Sequence, residues 1–336
     1  MQFTKNSGLL ASTLLLLLSG ASAVAAEYNP LESKQQAKTE IETLVDKTRK
    51  REIPVRFYLP EESGPRPVVL FSHGLGGSRD NNGYIGEHLA GRGYVCIFLQ
   101  HPGSDESVWK GTKPTEIMPA MQKAANYENL ELRCQDVKAV VEQLSVWNKT
   151  QGHLLFGRVD PQRIGMSGHS FGASTTQGVL GQSIPLLGPR FLVPEIRAGI
   201  AYSPSIPQRG NPETAFAKID RPFLLMTGTL DDSPIGGQTP ASRRKVYPAL
   251  PTTIDRYELV LDGGKHSAFS EREIKLKLLG GGQKNPNHHR VILAVTAAFW
   301  DTYLKEDAAA QAWLQGEGPR QIMEKPDLWQ MGLKKK

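Results

Sequence analysis

Short apolar runs alternate along this chain with longer segments in which apolar residues recur at helical spacing. Strands are predicted at residues 51–58, 68–71, 94–99, 164–166, 198–201, 223–226 and 258–261. Helices are predicted at residues 84–90, 134–144 and 291–303. The first strand alternates enough for a sheet edge. Strands that alternate with helices in this way predict a mostly parallel central sheet with helices on both faces.

One predicted turn between a strand and a helix carries the pattern Gly-x-Ser-x-Gly, at residues 168–172. In this context a strained turn lifts a serine above the end of the sheet as a nucleophile. The two glycines leave room for that turn because they have no Cβ. We therefore predict Ser170 as a nucleophile, and we expect the amide of Phe171, at a helix N-terminus, to face an anion.

A loop rich in histidine and glycine follows an early predicted strand, at residues 71–77. Such loops supply the second backbone donor of an oxyanion hole in hydrolases with this serine turn. We assign that donor to the Leu75 N–H and expect His73 to brace the loop rather than to transfer a proton. Taken alone, the segment is equally compatible with an ordinary glycine-rich turn.

Two later loops carry candidates for an acid and a base. The strand at 223–226 runs into the adjacent carboxylates Asp231 and Asp232, and the strand at 258–261 leads through a Gly-Gly turn to His266. His266 suits a general base, and either aspartate could accept its Nδ1–H. The resulting order Ser, Asp, His along the chain is that of the α/β-hydrolase fold, not that of chymotrypsin or subtilisin.

The motifs at 71–76 and 168–173, with the Gly-Gly-Lys-His loop that ends at His266, resemble those of the α/β-hydrolase superfamily. The nearest likeness is to plasma-type platelet-activating-factor acetylhydrolases and dienelactone-hydrolase-like proteins, over residues 51–304. The Gly-x-x-Asp spacing that ends at Asp231 resembles the acid loop of such enzymes, which favours Asp231 over Asp232. The resemblance implies an α/β-hydrolase fold with a catalytic triad and two oxyanion amides: Ser170, Asp231, His266, Leu75 and Phe171.

These features predict a serine hydrolase that cleaves lipid, acetyl or similar small carboxylic esters through an acyl-enzyme. Such an enzyme needs no metal ion and no organic cofactor. Dienelactone hydrolases proper use a cysteine nucleophile, so the serine argues against that activity. A cutinase-like polyester esterase and a peptidase are the enzymatic alternatives. A catalytically silent ligand-binding protein on the same fold is the non-enzymatic alternative.

The first 26 residues have the composition of an export signal. Lys5 supplies the positive charge, a leucine-rich uncharged run follows at 9–18, and small residues occupy 21–26. We predict cleavage after Ala26 and export to the periplasm or the exterior. The rest, residues 27–336, is predicted to form a single α/β-hydrolase domain with a short basic C-terminal tail and no permanent membrane span.

Charge and length narrow the class of partner. The chain has 336 residues and a formal net charge of +6, and the last three residues are all lysine. A nucleic-acid-binding protein would concentrate basic residues on one element, whereas here much of the excess lies in the tail. We therefore expect a small-molecule ester as substrate and no nucleic-acid partner.

Several other positions leave alternatives open. Cys96 and Cys134 suit either a disulfide or two buried free thiols. His101 is predicted in a turn with local partners, and the pair His288 and His289 in a helix start rather than in a metal site. Two long connections, at 104–128 with Trp109 and at 233–254, are expected to cover the active edge as lids or specificity loops.

Overall fold

The computed structural model describes residue 2 and residues 28–34, 36–271 and 285–334. Apart from residue 2, the predicted export signal at 1–26 lies outside the described residues, as do the last two lysines of the tail. In the described ranges the strands are β1 Lys38–Asp46, β2 Arg51–Leu59, β3 Arg66–Ser72, β4 Val95–Leu99, β5 Val159–His169, β6 Ile196–Tyr202, β7 Phe223–Leu230, β8 Arg256–Lys265 and β9 Leu328–Gly332. The α-helices there are α1 Gly83–Ala90, α2 Pro114–Ala124, α3 Tyr127–Lys149, α4 Phe171–Val179, α5 Pro212–Phe216, α6 Pro240–Arg243, α7 Val246–Ala249, α8 Pro286–Leu304, α9 Ala308–Gln315 and α10 Gly318–Ile322.

The described strands form one sheet in the order β1-β2-β4-β3-β5-β6-β7-β8-β9. Neighbouring strands pair in parallel through the centre of the sheet, which consists of β4, β3, β5, β6, β7 and β8. At the two sides, β2 is antiparallel to both of its neighbours and β9 is antiparallel to β8. This is the predicted α/β-hydrolase fold. The carboxyl ends of the parallel strands therefore meet at one edge, where open α/β sheets bind ligands.

Helices pack on both faces of the sheet because alternate strand residues point to opposite sides. In β3, Val68 and Leu70 belong to the core beneath α3 and α4, whereas Val69 and Phe71 belong to the core beneath α1 and α8. Each of these four side chains is almost completely buried. The central strands thus have no solvent-facing side, which explains their continuous apolar sequence.

The sheet edges differ from the sequence prediction. The strand predicted as an edge, β2, is covered by β1, which alternation did not reveal because the apolar side chains of Ile41 and Val45 face solvent. The opposite side of β1 is the one that packs: Glu42 accepts a hydrogen bond from Trp147 Nε1 at 3.1 Å and lies 3.0 Å from His153 Nε2. At the other end β9 forms an edge that the sequence prediction also missed.

Cys96 and Cys134 are buried free thiols. Cys96 lies in the core on the α1 and α8 face, and Cys134 lies in the core on the α3 and α4 face. The sheet separates them, so the two sulfurs cannot be joined without unfolding the centre of the molecule. Burial raises the pKa of both thiols, which keeps them protonated and unreactive.

Candidate active site

The turn after β5 forces Ser170 into a strained backbone conformation, with φ 59° and ψ −114°. A non-glycine residue with positive φ is sterically disfavoured and is found mainly where function requires it. The flanking glycines make the turn possible: a Cβ on Gly172 would lie 1.9 Å from Ser72 O, and one on Gly168 would lie 2.3 Å from Gly172 O. The serine therefore stands between the end of β5 and the start of α4, at the carboxyl edge of the sheet.

Three predicted residues from separate loops meet at this edge. His266 Nε2 lies 2.9 Å from Ser170 Oγ, and His266 Nδ1 lies 2.7 Å from Asp231 Oδ1. Because an ionised carboxylate can only accept, the ring proton is on Nδ1, which leaves Nε2 free to accept the serine hydroxyl proton. Ser170, His266 and Asp231 thus form a continuous hydrogen-bonded chain from a buried carboxylate to a strained serine.

The two neighbouring aspartates have different environments. Asp231 is fully buried, and Thr227 Oγ1 donates to its second carboxylate oxygen at 2.8 Å, whereas Asp232 is exposed. Burial opposes ionisation of Asp231, but the hydrogen bond and the electrostatic interaction with His266, together with the positive charge of Arg243, outweigh it and lower the pKa. The carboxylate is therefore ionised at neutral pH, and the structure brings Asp231, not Asp232, to the histidine.

A buried arginine from the 233–254 connection supports the acid loop. Arg243 Nε donates to Asp231 O at 2.8 Å and lies 3.2 Å from Asp231 Oδ1. Its Nη1 donates at 2.9 Å to the carbonyl oxygens of Ser203 and Pro204, in the loop after β6. The arginine thus joins two loops at the active edge and keeps a positive charge beside the carboxylate, a role that the sequence prediction missed.

The predicted oxyanion donors lie on either side of Ser170. Phe171 begins α4, directly after the serine, and a Cβ on Gly74 would lie 3.4 Å from Ser170 Cβ. Within the described part of the chain, neither the Leu75 N–H nor the Phe171 N–H is bonded to an acceptor. The two amides that lack an acceptor therefore belong to the segments next to Ser170, namely the loop after β3 and the start of α4.

His73 braces the glycine-rich loop, as expected from the sequence. Its Nε2 accepts from the His101 backbone N–H at 3.1 Å, so its proton is on Nδ1. That Nδ1 lies 2.6 Å from Gly74 O and donates to it. His73 is almost completely buried, so its proton is used inside the loop rather than exchanged with a substrate.

A second Ser-His-Asp chain lies entirely inside the protein. Ser72 Oγ donates to His101 Nε2 at 2.8 Å, and His101 Nδ1 donates to Asp136 Oδ2 at 3.0 Å. All three residues are fully buried, and Arg51 binds Asp136 through two nitrogens at 2.7 and 2.9 Å. No substrate can reach Ser72, so these three hydrogen-bonded side chains serve to anchor the loop after β3. The sequence expectation of local partners for His101 is therefore wrong, since its partners come from β3 and α3.

The remaining predicted positions have structural surroundings. Trp109 Nε1 donates to Gly76 O at 2.7 Å, so the 104–128 connection, which contains α2, packs on the glycine-rich loop. His288 lies in the first turn of α8 with Nε2 3.0 Å from Asp262 O, and the His289 ring stacks on Tyr84 with centroids 4.4 Å apart. Among the described residues no group of three or more His, Cys, Asp or Glu side chains is placed to hold a metal ion.

The fold and the arrangement around Ser170 are those of an α/β-hydrolase. Comparison with known proteins agrees with this class. Residues 56–150 match the family model described as platelet-activating factor acetylhydrolase, isoform II. That match includes the glycine-rich loop but ends before Ser170, so it is independent of the triad residues.

Two curated relatives are cutinases. The chain is 24% identical over 212 residues to Cutinase 2 of Thermobifida cellulosilytica, covering 63% of this chain and 64% of that protein. It is also 24% identical over 212 residues to Cutinase cut1 of Thermobifida fusca, covering 63% of this chain and 53% of that protein. The matched region thus spans between about half and two thirds of each relative. These similarities, together with the fold, confirm the resemblance to α/β-hydrolase serine esterases that the motifs indicated.

None of the helices in the described ranges is long and apolar enough to cross a membrane.

Proposed function

We propose that this protein is an exported serine hydrolase that cleaves carboxylic esters, with Ser170 as nucleophile, His266 as general base and Asp231 as acid. The observation that carries the proposal is the hydrogen-bonded chain that runs from Asp231 through His266 to Ser170 Oγ. The strained turn at Ser170 supports the proposal, because backbone strain that the surrounding structure enforces is concentrated at functional sites.

The geometry suits acyl transfer in two steps. His266 Nε2 takes the hydroxyl proton as Ser170 Oγ attacks the ester carbonyl, and the amides of Phe171 and Leu75 bind the oxyanion. His266 then gives this proton to the leaving alcohol, and the acyl group stays on the serine. Water, deprotonated by the same nitrogen, attacks the acyl-enzyme. His266 Nε2 then gives this proton to Ser170 Oγ as the bond to the acyl group breaks and the carboxylic acid leaves.

Asp231 holds the ring of His266 in the tautomer that this cycle needs. The carboxylate accepts the Nδ1–H throughout and stabilises the imidazolium that forms in each step. Its second oxygen is occupied by the Thr227 hydroxyl, which limits rotation of the carboxylate. The acid therefore orients the base and does not exchange a proton with substrate.

The substrate class follows from the chemistry of the site and from the relatives. We propose a lipid or acetyl ester or a similar small ester, in line with the acetylhydrolase family model. The cutinase relatives favour a second candidate, an ester within a polyester. Both substrates use the same triad and differ in what lies beyond the scissile bond.

A panel of esters tests the proposal. The protein that begins at Glu27 is incubated with short p-nitrophenyl esters, an acetylated phospholipid and a polyester film, with Ser170→Ala as the matched control. We expect turnover of at least the short esters by the wild type and loss of about 10⁴-fold or more in the control. Binding of the esters with equal affinity by both proteins and no turnover by either would instead indicate a silent binding protein.

Export is tested separately, because the leader lies outside the described residues. Full-length protein is expressed in a Gram-negative host, the cell fractions are separated, and the N-terminus of the product is sequenced. Cleavage after Ala26 with product in the periplasm or the medium supports export. Uncleaved protein in the cytoplasm would contradict it.

A further inference from the structure

Arg133, on α3, lies fully buried beneath the glycine-rich loop. Its Nη1 donates to His73 O at 2.7 Å, and its Nε donates to Ser104 Oγ at 2.8 Å. Its Nη2 lies 3.3 Å from Ser104 O and 3.5 Å from Gly74 O. One guanidinium therefore ties together two consecutive carbonyls of the loop and the segment after β4.

The same guanidinium contacts the other side of the proposed oxyanion hole. Its central carbon lies 4.5 Å from the centroid of the Phe171 ring, within the range of a cation–π contact. Phe171 supplies one proposed oxyanion amide, and the loop held by Arg133 supplies the other. Arg133 is thus in contact with both segments that would bind the oxyanion.

Peptide geometry links the held carbonyl to the donor. Gly74 O and the Leu75 N–H belong to one peptide unit, and in a planar trans peptide the two point in opposite directions. Gly74 O accepts from His73 Nδ1 at 2.6 Å and faces Arg133 Nη2. Fixing this oxygen toward the buried side therefore fixes the direction of the Leu75 N–H toward the opposite side.

We propose that Arg133 is a positioning residue of the oxyanion hole, which holds the Leu75 amide and the Phe171 segment in register with each other. This inference rests on the proposed ester hydrolysis. A displacement of about 1 Å at such a donor is enough to lower a rate by about 10²-fold. Arg133 itself does not touch substrate.

The charge of Arg133 is maintained despite its burial. Burial lowers the pKa of Arg133 to about 9, which leaves the side chain cationic at neutral pH, and Asp136 one turn later on α3 offsets part of the cost. A buried cation of this kind needs good hydrogen-bond geometry to be tolerated. Lysine would keep the charge but has a single ammonium, which cannot reproduce a planar fork.

Three variants test the role of Arg133: Arg133→Lys, Arg133→Met and the milder Ser104→Ala, which removes only the hydroxyl that Nε donates to. Arg92→Met is the control for loss of a largely buried, paired arginine. Arg92 precedes β4 at its amino end and pairs with Asp301. Each protein is assayed for kcat and KM on a p-nitrophenyl ester. Each is also titrated with an alkyl trifluoromethyl ketone, whose adduct with serine carries an oxyanion.

We expect kcat to fall by about 10²-fold in Arg133→Met, by about 10-fold in Arg133→Lys and by about 3-fold in Ser104→Ala, with KM within about 2-fold of wild type. The inhibition constant of the ketone rises in parallel with the loss of kcat. Arg92→Met lowers Tm but leaves kcat and the inhibition constant unchanged. Folding is monitored by circular dichroism, and Ser104→Ala carries the test if the arginine variants do not fold.

Two outcomes overturn the inference. In the first outcome, the wild type turns over the ester and the variants fold, but their kcat values and their inhibition constants for the ketone stay within about 2-fold of wild type. The other is a loss of kcat with unchanged ketone inhibition, which would assign the defect to general loosening. Absence of turnover in the wild type would overturn the proposed function as well, so the two failures are distinguishable.

Discussion

The Asp231 carboxylate lies 2.7 Å from Nδ1 of His266, while the carboxylate next to it in sequence, that of Asp232, is exposed to solvent. The two side chains thus offer a matched pair of variants that differ by one position. Since only Asp231 contacts the histidine, only its replacement should alter the tautomer of the ring.

Asp231→Asn is expected to lower kcat by about 10⁴-fold, because an amide can donate to Nδ1 and so favour the wrong tautomer. Asp232→Asn is expected to stay within about 10-fold of wild type, a barrier change of about 1.4 kcal/mol or less. Steady-state kinetics on a p-nitrophenyl ester, with circular dichroism to verify folding, gives both values. The reverse ranking would move the acid to Asp232.

Arg243→Met is expected to lower kcat by about 10- to 100-fold, because the carbonyls of Ser203, Pro204 and Asp231 lose their buried donor and the acid loop shifts. The charge of Arg243 helps to lower the pKa of Asp231, so its removal raises that pKa. As the pH is lowered, this variant should therefore lose activity at a higher pH than the wild type does.

Arg244→Met is the control for this change. Arg244 is exposed and lies 3.5 Å from Glu258, away from the triad. Its replacement should leave kcat and the pH profile unchanged. Equal pH profiles in Arg243→Met and Arg244→Met would contradict the electrostatic part of the prediction.

Stability is expected to fall as the pH is lowered from about 6.5 toward 4. Burial lowers the pKa of His88 and His101 to about 4 and that of His169 to about 3. Between these values and the ordinary pKa of about 6.5 the unfolded chain binds protons that the folded chain does not. Each such histidine adds a slope that approaches about 1.4 kcal/mol per pH unit.

Urea unfolding at pH 7 and pH 5 measures this effect. The free energy of unfolding should be smaller at pH 5, and His101→Gln should show a shallower dependence on pH than the wild type. Equal or greater stability at pH 5 would show that these histidines are not buried in their neutral form.

The parallel centre of the fold could be predicted because its strands are continuous apolar runs. The strained turn at Ser170 could be predicted because only glycine fits on either side of it. Both edges were missed for physical reasons. In β1 the apolar side chains of Ile41 and Val45 face solvent, so apolar alternation does not mark the side that packs. The strand β9 follows α10 and pairs with β8, a partner that is distant in sequence.

In the site, motif order brought Ser170, Asp231 and His266 together as candidates, but the two buried arginines were missed. Arg133 lies four residues before Val137, on the side of α3 that carries the buried apolar residues. A charged residue at such a position indicates a buried charge with specific hydrogen-bond partners. For Arg243 the local sequence offers no such stripe, since α6 has only four residues. Its role depends on loops that only the folded chain brings together.

The central claim is that ester hydrolysis depends on Ser170. It is tested most directly by titrating the protein that begins at Glu27 with a fluorophosphonate while residual ester hydrolysis and the labelled peptide are followed by assay and mass spectrometry. We predict one label per molecule, on the peptide that contains Ser170, with activity lost in proportion to labelling. Full hydrolytic activity after stoichiometric labelling, or a label on another residue with Ser170 unmodified, would contradict the account.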